Sequence, residues 1–401
     1  MLTNIDGGTA VSVFLSELGI VNALGTSKAE VLRRVLEADR TGMAPYGELL
    51  TRRTTFVGRV RDALPPLRAD LATFDCRNNR LLAAALDQIA PAVTAVRESV
   101  GAHRIAVLIG TSTSGITEGE SAIESLHRDG QIPATFHYRQ QEIGMTAEFA
   151  AQHLGLTGLR YTISTACSSS ASAFCSAQRL LDSGRCDAAV VGGADSLCRL
   201  TLNGFDALES LSPQLCNPFS ANRRGLNIGE GACVFLMTRT PAPVRLCGVG
   251  ESSDGYHLSA PDPEGRGAEA AIRGALASAQ LEPRDVDYVN LHGTATRKND
   301  DMESRVMARV FGAETPCGST KPLIGHTLGA AGAQELGICW LLLGGENEGR
   351  RLPLHVWDGI RDPGLPDINL ASGDERWARG IFVSNSFAFG GSNTSVAIGR
   401  A

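Results

Sequence analysis

Short apolar runs alternate along the chain with stretches whose apolar residues recur every three or four positions. The short runs predict β-strands, and the longer stretches predict helices that pack against them. The predicted strands are residues 11–18, 104–110, 160–165, 187–193, 232–238, 244–251, 286–291, 316–319, 380–386 and 394–398. The predicted helices are residues 29–38, 80–99, 145–153, 171–182, 267–278, 301–311 and 328–342. This alternation is typical of an α/β fold.

The segment Thr240-Pro241-Ala242-Pro243 separates the first five predicted strands from the last five. The order of elements on its two sides predicts a duplicated fold, although the two halves show no close sequence repeat. We therefore expect an N-terminal half over residues 1–241 and a C-terminal half over residues 242–401. Residues 40–79 are predicted to run over the surface, and residues 213–227 form a second irregular stretch.

Composition narrows the class of protein without identifying it. Hydrophobic residues make up 43% of 401 residues and the formal net charge is −6, so general disorder and nucleic-acid binding through bulk positive charge are both excluded. The ten cysteines include no CxxC pair and no zinc-type spacing, which predicts free thiols and no bound metal. No apolar run is long enough to cross a bilayer and no signal-peptide pattern begins the chain, so we expect a cytoplasmic protein without a membrane span.

The first segment with candidate chemistry is Thr165-Ala166-Cys167-Ser168-Ser169-Ser170-Ala171. A predicted strand ends here and small residues lead directly into a predicted helix. A thiol at such an elbow lies near the positive end of the helix dipole, which is expected to lower its pKa and favour a nucleophile. The alternative is an inert cysteine in a tight turn.

The second segment places His292 at the end of a predicted strand, where α/β folds bind their ligands. Asp300 and Glu303 follow at the start of the next helix, and their spacing lets both carboxylates face the same way. The alternative is a structural histidine at the end of a strand.

Two further segments lie in the C-terminal half. Lys321, one of three lysines in the chain, precedes His326 and a helix that begins with glycine and alanine. Close packing of that helix on a sheet explains the small residues but neither Lys321 nor His326. In the turn over residues 385–393, the backbone N–H groups around Phe389 could form an oxyanion hole, or the segment could be a plain hairpin turn.

Taken in order, these segments resemble the β-ketoacyl-acyl carrier protein synthases of the elongating type. The resemblance extends from the first strand to Ile398 and includes the motifs at residues 192–195 and 225–232. It implies a thiolase-like α/β fold with five layers, α/β/α/β/α, two similar halves and an obligate dimer. The family condenses acyl chains in fatty-acid and polyketide synthesis and needs no organic cofactor.

The resemblance also implies roles for the matched residues. Cys167 would take the acyl chain from acyl carrier protein as a thioester, with the backbone N–H groups of Cys167 and Phe389 as the oxyanion hole. His292 and His326 would contact the malonyl thioester carbonyl and promote loss of CO2. Lys321 would tune the charge and orient His326, while Glu303 and Asp300 would organise the lysine side or a bound cation.

The chain departs from the family pattern around the active site. Thr113 stands where an apolar residue often gates the acyl pocket, and Ala388 replaces the glycine that commonly precedes the second gate residue, Phe389. Ser220 and Arg224 occupy positions where an acidic residue is frequent, and residues 297–299 replace the common Pro-x-Gly. These departures indicate a specialised pathway, such as polyene synthesis, rather than the main membrane-lipid cycle.

Other members of the superfamily fit less well. A degradative thiolase needs a second catalytic cysteine near the C-terminus, but the last cysteine is Cys339. Initiating synthases pair the cysteine with histidine and asparagine rather than with two histidines. A chain-length factor, a non-catalytic partner of an active synthase, usually lacks the cysteine that this chain keeps.

The expected partners are acyl- and malonyl-loaded acyl carrier protein and a second subunit, giving a homodimer or a heterodimer with a related synthase. Because acyl carrier protein is acidic, its docking site needs local positive charge. Two arginine-rich stretches are candidates, although ordinary solvated arginines would explain both: Arg52, Arg53, Arg59 and Arg61; Arg223 and Arg224.

Overall fold

The computed structural model describes residues 12–51 and 53–401. Its strands are β1 (Val13–Val21), β2 (Met43–Tyr46), β3 (Thr55–Gly58), β4 (Ile105–Gly110), β5 (Arg160–Ile163), β6 (Ala188–Asp195), β7 (Gly231–Thr238), β8 (Val244–Ser253), β9 (Tyr288–Asn290), β10 (Pro316–Gly318), β11 (Asn369–Leu370), β12 (Ile381–Phe387) and β13 (Ser392–Arg400). Its helices are α1 (Lys28–Leu36), α2 (Arg77–Val100), α3 (Ile116–Asp129), α4 (Met145–Leu154), α5 (Ser169–Asp182), α6 (Arg199–Ala207), α7 (Arg266–Ala279), α8 (Arg297–Val310), α9 (Lys321–Ile324) and α10 (Ala331–Leu343).

The strand order shows that one topology occurs twice. Hydrogen-bonded strands follow the order β11-β10-β9-β12-β13-β8-β1-β7-β6-β4-β5. When the first half is numbered β1, β4, β5, β6, β7 and the second β8, β9, β10, β12, β13, both halves read 3-2-4-5-1. In both halves, strands 3, 2 and 4 are parallel to one another, while strands 4, 5 and 1 pair antiparallel. This repeat confirms the predicted duplication.

The helices complete five layers. Helices α2 and α4 cover the outer face of the first half, and α7 covers that of the second together with α8, whose apolar residues share a buried cluster with its strands. Helices α5 and α10 lie between the halves and contact strands of both. All but one residue of α10 is buried, as expected for a helix that is apolar on every side. The predicted α/β/α/β/α thiolase-like fold is confirmed.

The two central helices approach each other closely. A Cβ atom added to Gly332 at the start of α10 would lie 2.7 Å from the Cβ of Ala171 in α5. Only glycine fits at that contact, which explains the small residues that the sequence places at the start of α10.

The outer helix α2 shows how the apolar periodicity is used. Leu82, Leu86, Ile89 and Val93 recur at helical spacing and are buried in the cluster that α2 forms with the strands of the first half. Burial of each such side chain contributes about 1.5–3 kcal/mol relative to an exposed position.

The predicted elements are all present, with their ends displaced by a few residues. The predicted start of the first strand at residue 11 lies outside the described residues. Residues 213–227, all of them described, contain no helix or strand, as predicted. Over the part of the chain that the structure describes, no helix is both long enough and apolar enough to cross a membrane.

The prediction of a surface excursion over residues 40–79 holds for only part of the stretch, since residues 61–70 are mostly exposed whereas residues 55–58 are mostly buried. Strands β2 and β3 form a hairpin in which Thr55 and Val57 are buried, and the Gly58 N–H donates to the Ile228 carbonyl at 2.9 Å. Helix α2 already begins at Arg77. Thr55 and Val57 alternate with less buried residues along β3, and contact with the loop over residues 226–229 buries them. The polar and proline residues around this short strand make its alternation hard to recognise in the sequence.

Candidate active site

Cys167 lies at a sharp elbow between a strand and a helix. After β5 ends at Ile163, Ala166 adopts a left-handed backbone with φ of 50° and begins a 3-10 turn that runs directly into α5. The Ser169 hydroxyl accepts from the Thr165 N–H at 2.9 Å and donates to the Ala166 carbonyl at 2.6 Å. These bonds hold the elbow, and the thiol is 5% exposed.

The structure brings the predicted cysteine and both predicted histidines together. His326 Nε2 lies 3.0 Å from Cys167 Sγ. Sγ and one ring nitrogen of each histidine lie within 4.8 Å of one another, and the rings of His292 and His326 meet edge to face with centroids 5.3 Å apart. The two halves of the duplicated fold thus contribute to one cluster.

Burial controls the protonation of this cluster. It raises the pKa of the Cys167 thiol to about 12, against the opposing effects of the Lys321 ammonium and the Phe389 N–H. The expected lowering of this pKa by the start of the helix is therefore opposed by the desolvation of the thiolate. Burial and Lys321 hold the pKa of His326 well below its usual value. A neutral thiol therefore faces a neutral imidazole that can accept its proton.

Lys321 contacts His292 rather than His326, so it does not orient His326 as expected, although its charge lowers the pKa of His326 as the expected tuning role requires. Its ammonium donates to the His292 carbonyl and to the Glu335 carboxylate, and lies 3.5 Å from His292 Nδ1. Because an ammonium only donates, its position beside Nδ1 favours the tautomer of His292 with the ring proton on Nε2. In that tautomer the imidazole presents an N–H donor on the side away from the lysine.

Glu335 is the ion-pair partner of Lys321, and the sequence analysis missed it. Both side chains are 1% exposed. Burial raises the pKa of the Glu335 carboxyl, and the Lys321 ammonium opposes that shift. The available signal was an acidic residue inside an apolar helix, since such a charge is almost never buried unpaired.

Glu303 and Asp300 form no hydrogen bond with Lys321, although the nearby Lys321 ammonium partly opposes the rise in the pKa of Glu303. The Glu303 carboxylate accepts from the N–H groups of His292 and Gly293, each at 2.7 Å. Asp300 accepts from the N–H groups of Ala295 at 3.2 Å and of Phe219 at 2.8 Å. Burial raises the pKa of Glu303 to about 7 and that of Asp300 to about 6. The two carboxylates fix the loop that carries His292.

The two predicted gate residues lie in different surroundings. The Phe389 ring is partly exposed and packs on Phe205 of α6 with ring centroids 5.5 Å apart. Thr113 is buried, and its hydroxyl donates to Asp195 at 2.7 Å. The same carboxylate accepts from the Ala330 N–H at 3.1 Å, so the unpredicted Asp195 ties the loop after β4 to the start of α10.

A cleft of about 400 Å³ connects the cluster to the surface. Cys167, His292 and His326 line its buried end, and Phe389 lines one wall, whereas Thr113 is not part of the lining. The exposed side chains at its mouth include Arg224, Arg297 and Lys298.

The arginines predicted to dock a carrier protein differ in availability. Arg53 pairs with Asp206, and Arg223 is buried between Asp301 and Asp362. Arg59 is stacked over the ring of Tyr46, and the side chains of Arg61 and Arg224 are exposed. Arg52 lies outside the described residues.

Known sequences and structures resemble this chain over most of its length. The chain is 31% identical to Nodulation protein E of Rhizobium meliloti, covering 96% of this chain and 98% of that protein. It is 29% identical to 3-oxoacyl-[acyl-carrier-protein] synthase 2 of Coxiella burnetii, covering 97% and 98%. A chain in the solved complex of a ketosynthase with its chain length factor from Xenorhabdus doucetiae is 45% identical over 99% of this chain and 100% of that one, with a TM-score of 0.94.

Family models give the same result for both halves. Residues 77–242 match the model described as "Beta-ketoacyl synthase, N-terminal domain", and residues 244–346 match "Beta-ketoacyl synthase, C-terminal domain". Together with the duplicated fold and the cysteine–histidine cluster, these matches establish that the chain belongs to the β-ketoacyl synthases, condensing enzymes of the thiolase superfamily.

Proposed function

We propose that this chain is a cytoplasmic enzyme that condenses malonyl-acyl carrier protein with an acyl chain held on Cys167, giving 3-oxoacyl-acyl carrier protein and CO2. The observation that supports this reaction best is the 3.0 Å contact between Cys167 Sγ and His326 Nε2, with His292 in the same buried cluster. The proposal requires neither a metal nor an organic cofactor.

Acyl transfer to Cys167 comes first. His326 Nε2 takes the thiol proton, because the imidazole is neutral and lies 3.0 Å from Cys167 Sγ. The thiolate attacks the thioester carbonyl of acyl-carrier protein, and the N–H groups of Cys167 and Phe389 stabilise the negative oxygen that forms. The bond to the carrier sulfur breaks, and the carrier thiol leaves with the proton from His326.

Decarboxylation and condensation follow at the two histidines. The His292 tautomer favoured by Lys321 presents Nε2–H to the malonyl thioester oxygen, and His326 lies beside it. This donor stabilises the enolate that forms when the carbon–carbon bond to the carboxylate breaks and CO2 leaves. The enolate carbon attacks the Cys167 thioester and forms a new carbon–carbon bond, while the bond between the acyl carbon and the cysteine sulfur breaks. The released thiolate takes a proton from solvent water, which restores the Cys167 thiol.

Two measurements on the purified protein test the reaction. After incubation with acyl-carrier protein, mass spectrometry should find one acyl adduct, on Cys167. Addition of malonyl-carrier protein should discharge that adduct, with one CO2 and one 3-oxoacyl product for each acyl group lost. An intact protein that never acquires the adduct would instead support the second candidate, a chain-length-factor-like subunit, which the resemblance to a ketosynthase–chain length factor complex brings into consideration.

We further propose that the enzyme acts as a dimer, either with a second copy or with a related synthase subunit. In the described part of the chain, β5 has a neighbour, β4, on one side only. Leu159 and Tyr161, at this edge, are 41% and 38% exposed, which is apolar surface that a second subunit could cover. Light scattering during gel filtration should give twice the chain mass for a homodimer, and a monomer that gains activity with a related subunit would indicate the heterodimer.

The specialised acyl preference is a separate proposal. At the expected gate position Thr113 carries a hydroxyl that is held by Asp195, so this position differs from an apolar gate in both shape and polarity. We expect faster elongation of polyunsaturated acyl carriers than of saturated ones of equal length. Faster elongation of the saturated series would contradict the assignment to polyene synthesis.

A further inference from the structure

A cavity of about 520 Å³ lies between the β2–β3 hairpin and the irregular segment over residues 212–224. Its lining includes Arg40 from the connection before β2, Phe56 from β3, and Trp357 from the connection between α10 and β11. Only the exposed Arg224 lines both this cavity and the active-site cleft. We call it the hairpin cavity, and it is a candidate site separate from the catalytic cluster.

Arg40 is a cation without a partner in the hairpin cavity. Its side chain is partly buried, and within residues 12–51 and 53–401 its guanidinium forms no hydrogen bond and no ion pair. Burial lowers the pKa of Arg40, and no carboxylate of those residues opposes that effect. The thiol that lines the same cavity, Cys216, is neutral, because burial raises its pKa to about 12. A cation partly removed from water is costly unless it is paired, so an anion in the cavity would stabilise it.

The other charged side chains of the lining favour an anion that carries one charge. Arg224 is positive and forms no ion pair among the described residues, whereas Asp358 is negative. Against the effect of partial burial, hydrogen bonds that include those from Asn222 and Ser220 lower the pKa of Asp358 to about 2. Two cations and one anion leave the lining with one net positive charge, which a monoanion balances and a dianion exceeds.

The shapes of the lining groups indicate which monoanion fits. Phe56, Leu215 and Trp357 are partly buried, so each presents apolar surface to the cavity. A planar guanidinium matches the two oxygens of a carboxylate, which accept two parallel hydrogen bonds. Aromatic side chains pack favourably on a flat ring. An aromatic ring that carries one carboxylate combines these features.

One residue, Asn227, connects the wall of the hairpin cavity to the catalytic cluster. Its side-chain oxygen accepts from the Cys216 N–H at 2.7 Å, and its side-chain amide donates to the Gln214 carbonyl at 3.0 Å. Its backbone carbonyl accepts from the His326 N–H at 2.7 Å. A ligand that orders residues 214–216 is therefore expected to protect the backbone of His326 as well.

We propose that the hairpin cavity binds a small aromatic monocarboxylate, with the carboxylate on Arg40 and the ring against Phe56 and Trp357. Such a ligand supplies the counter-ion that Arg40 lacks and covers the apolar surface beside it. The site does not depend on the proposed condensing function, because neither Cys167 nor His292 takes part in it.

Titration calorimetry with benzoate and benzamide tests the charge of the ligand, because the two molecules have nearly the same shape and only benzoate is charged. The wild-type protein should bind one benzoate per chain at least about tenfold more tightly than benzamide. Cyclohexanecarboxylate, which keeps the charge and lacks the flat ring, should bind about threefold or more weakly than benzoate. Inorganic phosphate should bind more weakly still, because it is largely a dianion without an apolar body.

Substitutions locate the ligand. Arg40→Ala should weaken benzoate binding about tenfold or more and leave benzamide binding unchanged. This variant should fold, because the Arg40 guanidinium bonds to no other described residue. Arg61→Ala is the matched control, since Arg61 is an exposed arginine nearby that does not line the cavity, and its affinity should stay within about twofold of the wild type. Trp357→Leu is a second variant, which should reduce the preference for benzoate over cyclohexanecarboxylate.

Hydrogen exchange followed by mass spectrometry gives a readout that needs no enzyme activity. Saturating benzoate should slow exchange in peptides that contain residues 212–217 and in the peptide that contains His326, and Arg40→Ala should abolish both effects. Benzoate that binds wild type and Arg40→Ala equally, or that protects only peptides around Cys167, overturns the site. Tighter binding of phosphate or of benzamide than of benzoate overturns the ligand class. No heat of binding at about 10 mM benzoate overturns the proposal as a whole.

Discussion

The two halves of the molecule build the same elbow and use it differently. In the first half Ala166, with φ of 50°, begins the 3-10 turn that leads into α5. In the second half Leu328, also with φ of 50°, begins the 3-10 turn that leads into α10. The next residue is Cys167 in the first elbow and Gly329 in the second. The duplicated backbone thus provides two equivalent positions, and only one holds a nucleophile.

Packing explains why the second elbow has no side chain at that position. A Cβ atom on Gly329 would lie 2.7 Å from the backbone nitrogen of Ser112 in the first half. Room for a side chain exists only at Cys167, where the active-site cleft begins.

The second half contributes through a longer connection. Two residues separate β5 from Ala166, whereas residues 319–327 separate β10 from Leu328. This longer segment carries Lys321 and His326, and so brings the imidazole within 3.0 Å of the thiol in the other elbow. Both halves therefore provide the same backbone elbow, and the longer connection in the second half provides the lysine and histidine that the first half lacks.

The largest expected effect comes from making the two elbows alike. Cys167→Gly should abolish the acyl adduct and slow 3-oxoacyl formation by about a thousandfold or more, because the covalent intermediate is lost. Cys175→Ala is the control, since Cys175 is a free, buried cysteine of α5 and does not line the cleft. If the adduct persisted in Cys167→Gly and disappeared in Cys175→Ala, the nucleophile would be Cys175, and its assignment to Cys167 would be wrong.

The second prediction concerns the ion pair in the longer connection. Lys321→Met leaves Glu335 buried without its partner, and we expect the free energy of unfolding to fall by about 3–5 kcal/mol. The double variant Lys321→Met/Glu335→Leu should regain most of that stability, because no charge remains unpaired. It should still condense slowly, because the tautomer of His292 is no longer favoured by an ammonium.

Urea unfolding and the product assay measure these two quantities separately. Full activity in the stable double variant would show that the pair serves stability alone. A double variant as unstable as Lys321→Met would instead show that packing, rather than an unpaired charge, causes the loss.

The sequence predicted the elements and the residues of the cluster better than the contacts between them. Strands that are apolar throughout and helices with one apolar face gave the α/β order, and the motifs around Cys167, His292 and His326 named residues that the structure brings together. Periodicity reports burial of a segment, but not which side chain faces which. For that reason periodicity does not show that Lys321 contacts His292 or that Glu303 holds the N–H groups of His292 and Gly293.

Two features depended on contacts between distant segments. Glu335 and Asp195 each lie in an apolar element, and their partners come from other parts of the chain, so their roles follow only from the folded arrangement. The sequence indicates the start of a helix beside Cys167, but it does not show the burial that raises the pKa of the thiol.

A smaller effect is expected where the second elbow excludes a side chain. Gly329→Ala should destabilise the protein by about 2 kcal/mol, because the backbone of the loop at Ser112 must move to admit the methyl group. Gly204→Ala is the matched control, since Gly204 is an exposed residue of α6 and its added Cβ would meet no atom within 4 Å. That control should be neutral or slightly stabilising. Equal unfolding free energies for the two variants would show that the second elbow has room for a side chain.

The smallest expected effect tests strain in the first elbow. At φ of 50° the Ala166 Cβ is unfavourable by about 1–2 kcal/mol, and glycine there relieves that strain while adding about 0.4–1 kcal/mol of chain entropy to the unfolded state. Ala166→Gly should therefore change the free energy of unfolding by less than about 1 kcal/mol, with either sign. Ala277→Gly, at an exposed position of α7, should cost about 1 kcal/mol, because its backbone is helical and glycine gains nothing there. Denaturant unfolding of the two variants measures this difference. An equal loss of unfolding free energy at both positions would mean that the backbone at Ala166 is not strained. The position of Cys167 would then depend on the hydrogen bonds of Ser169 alone.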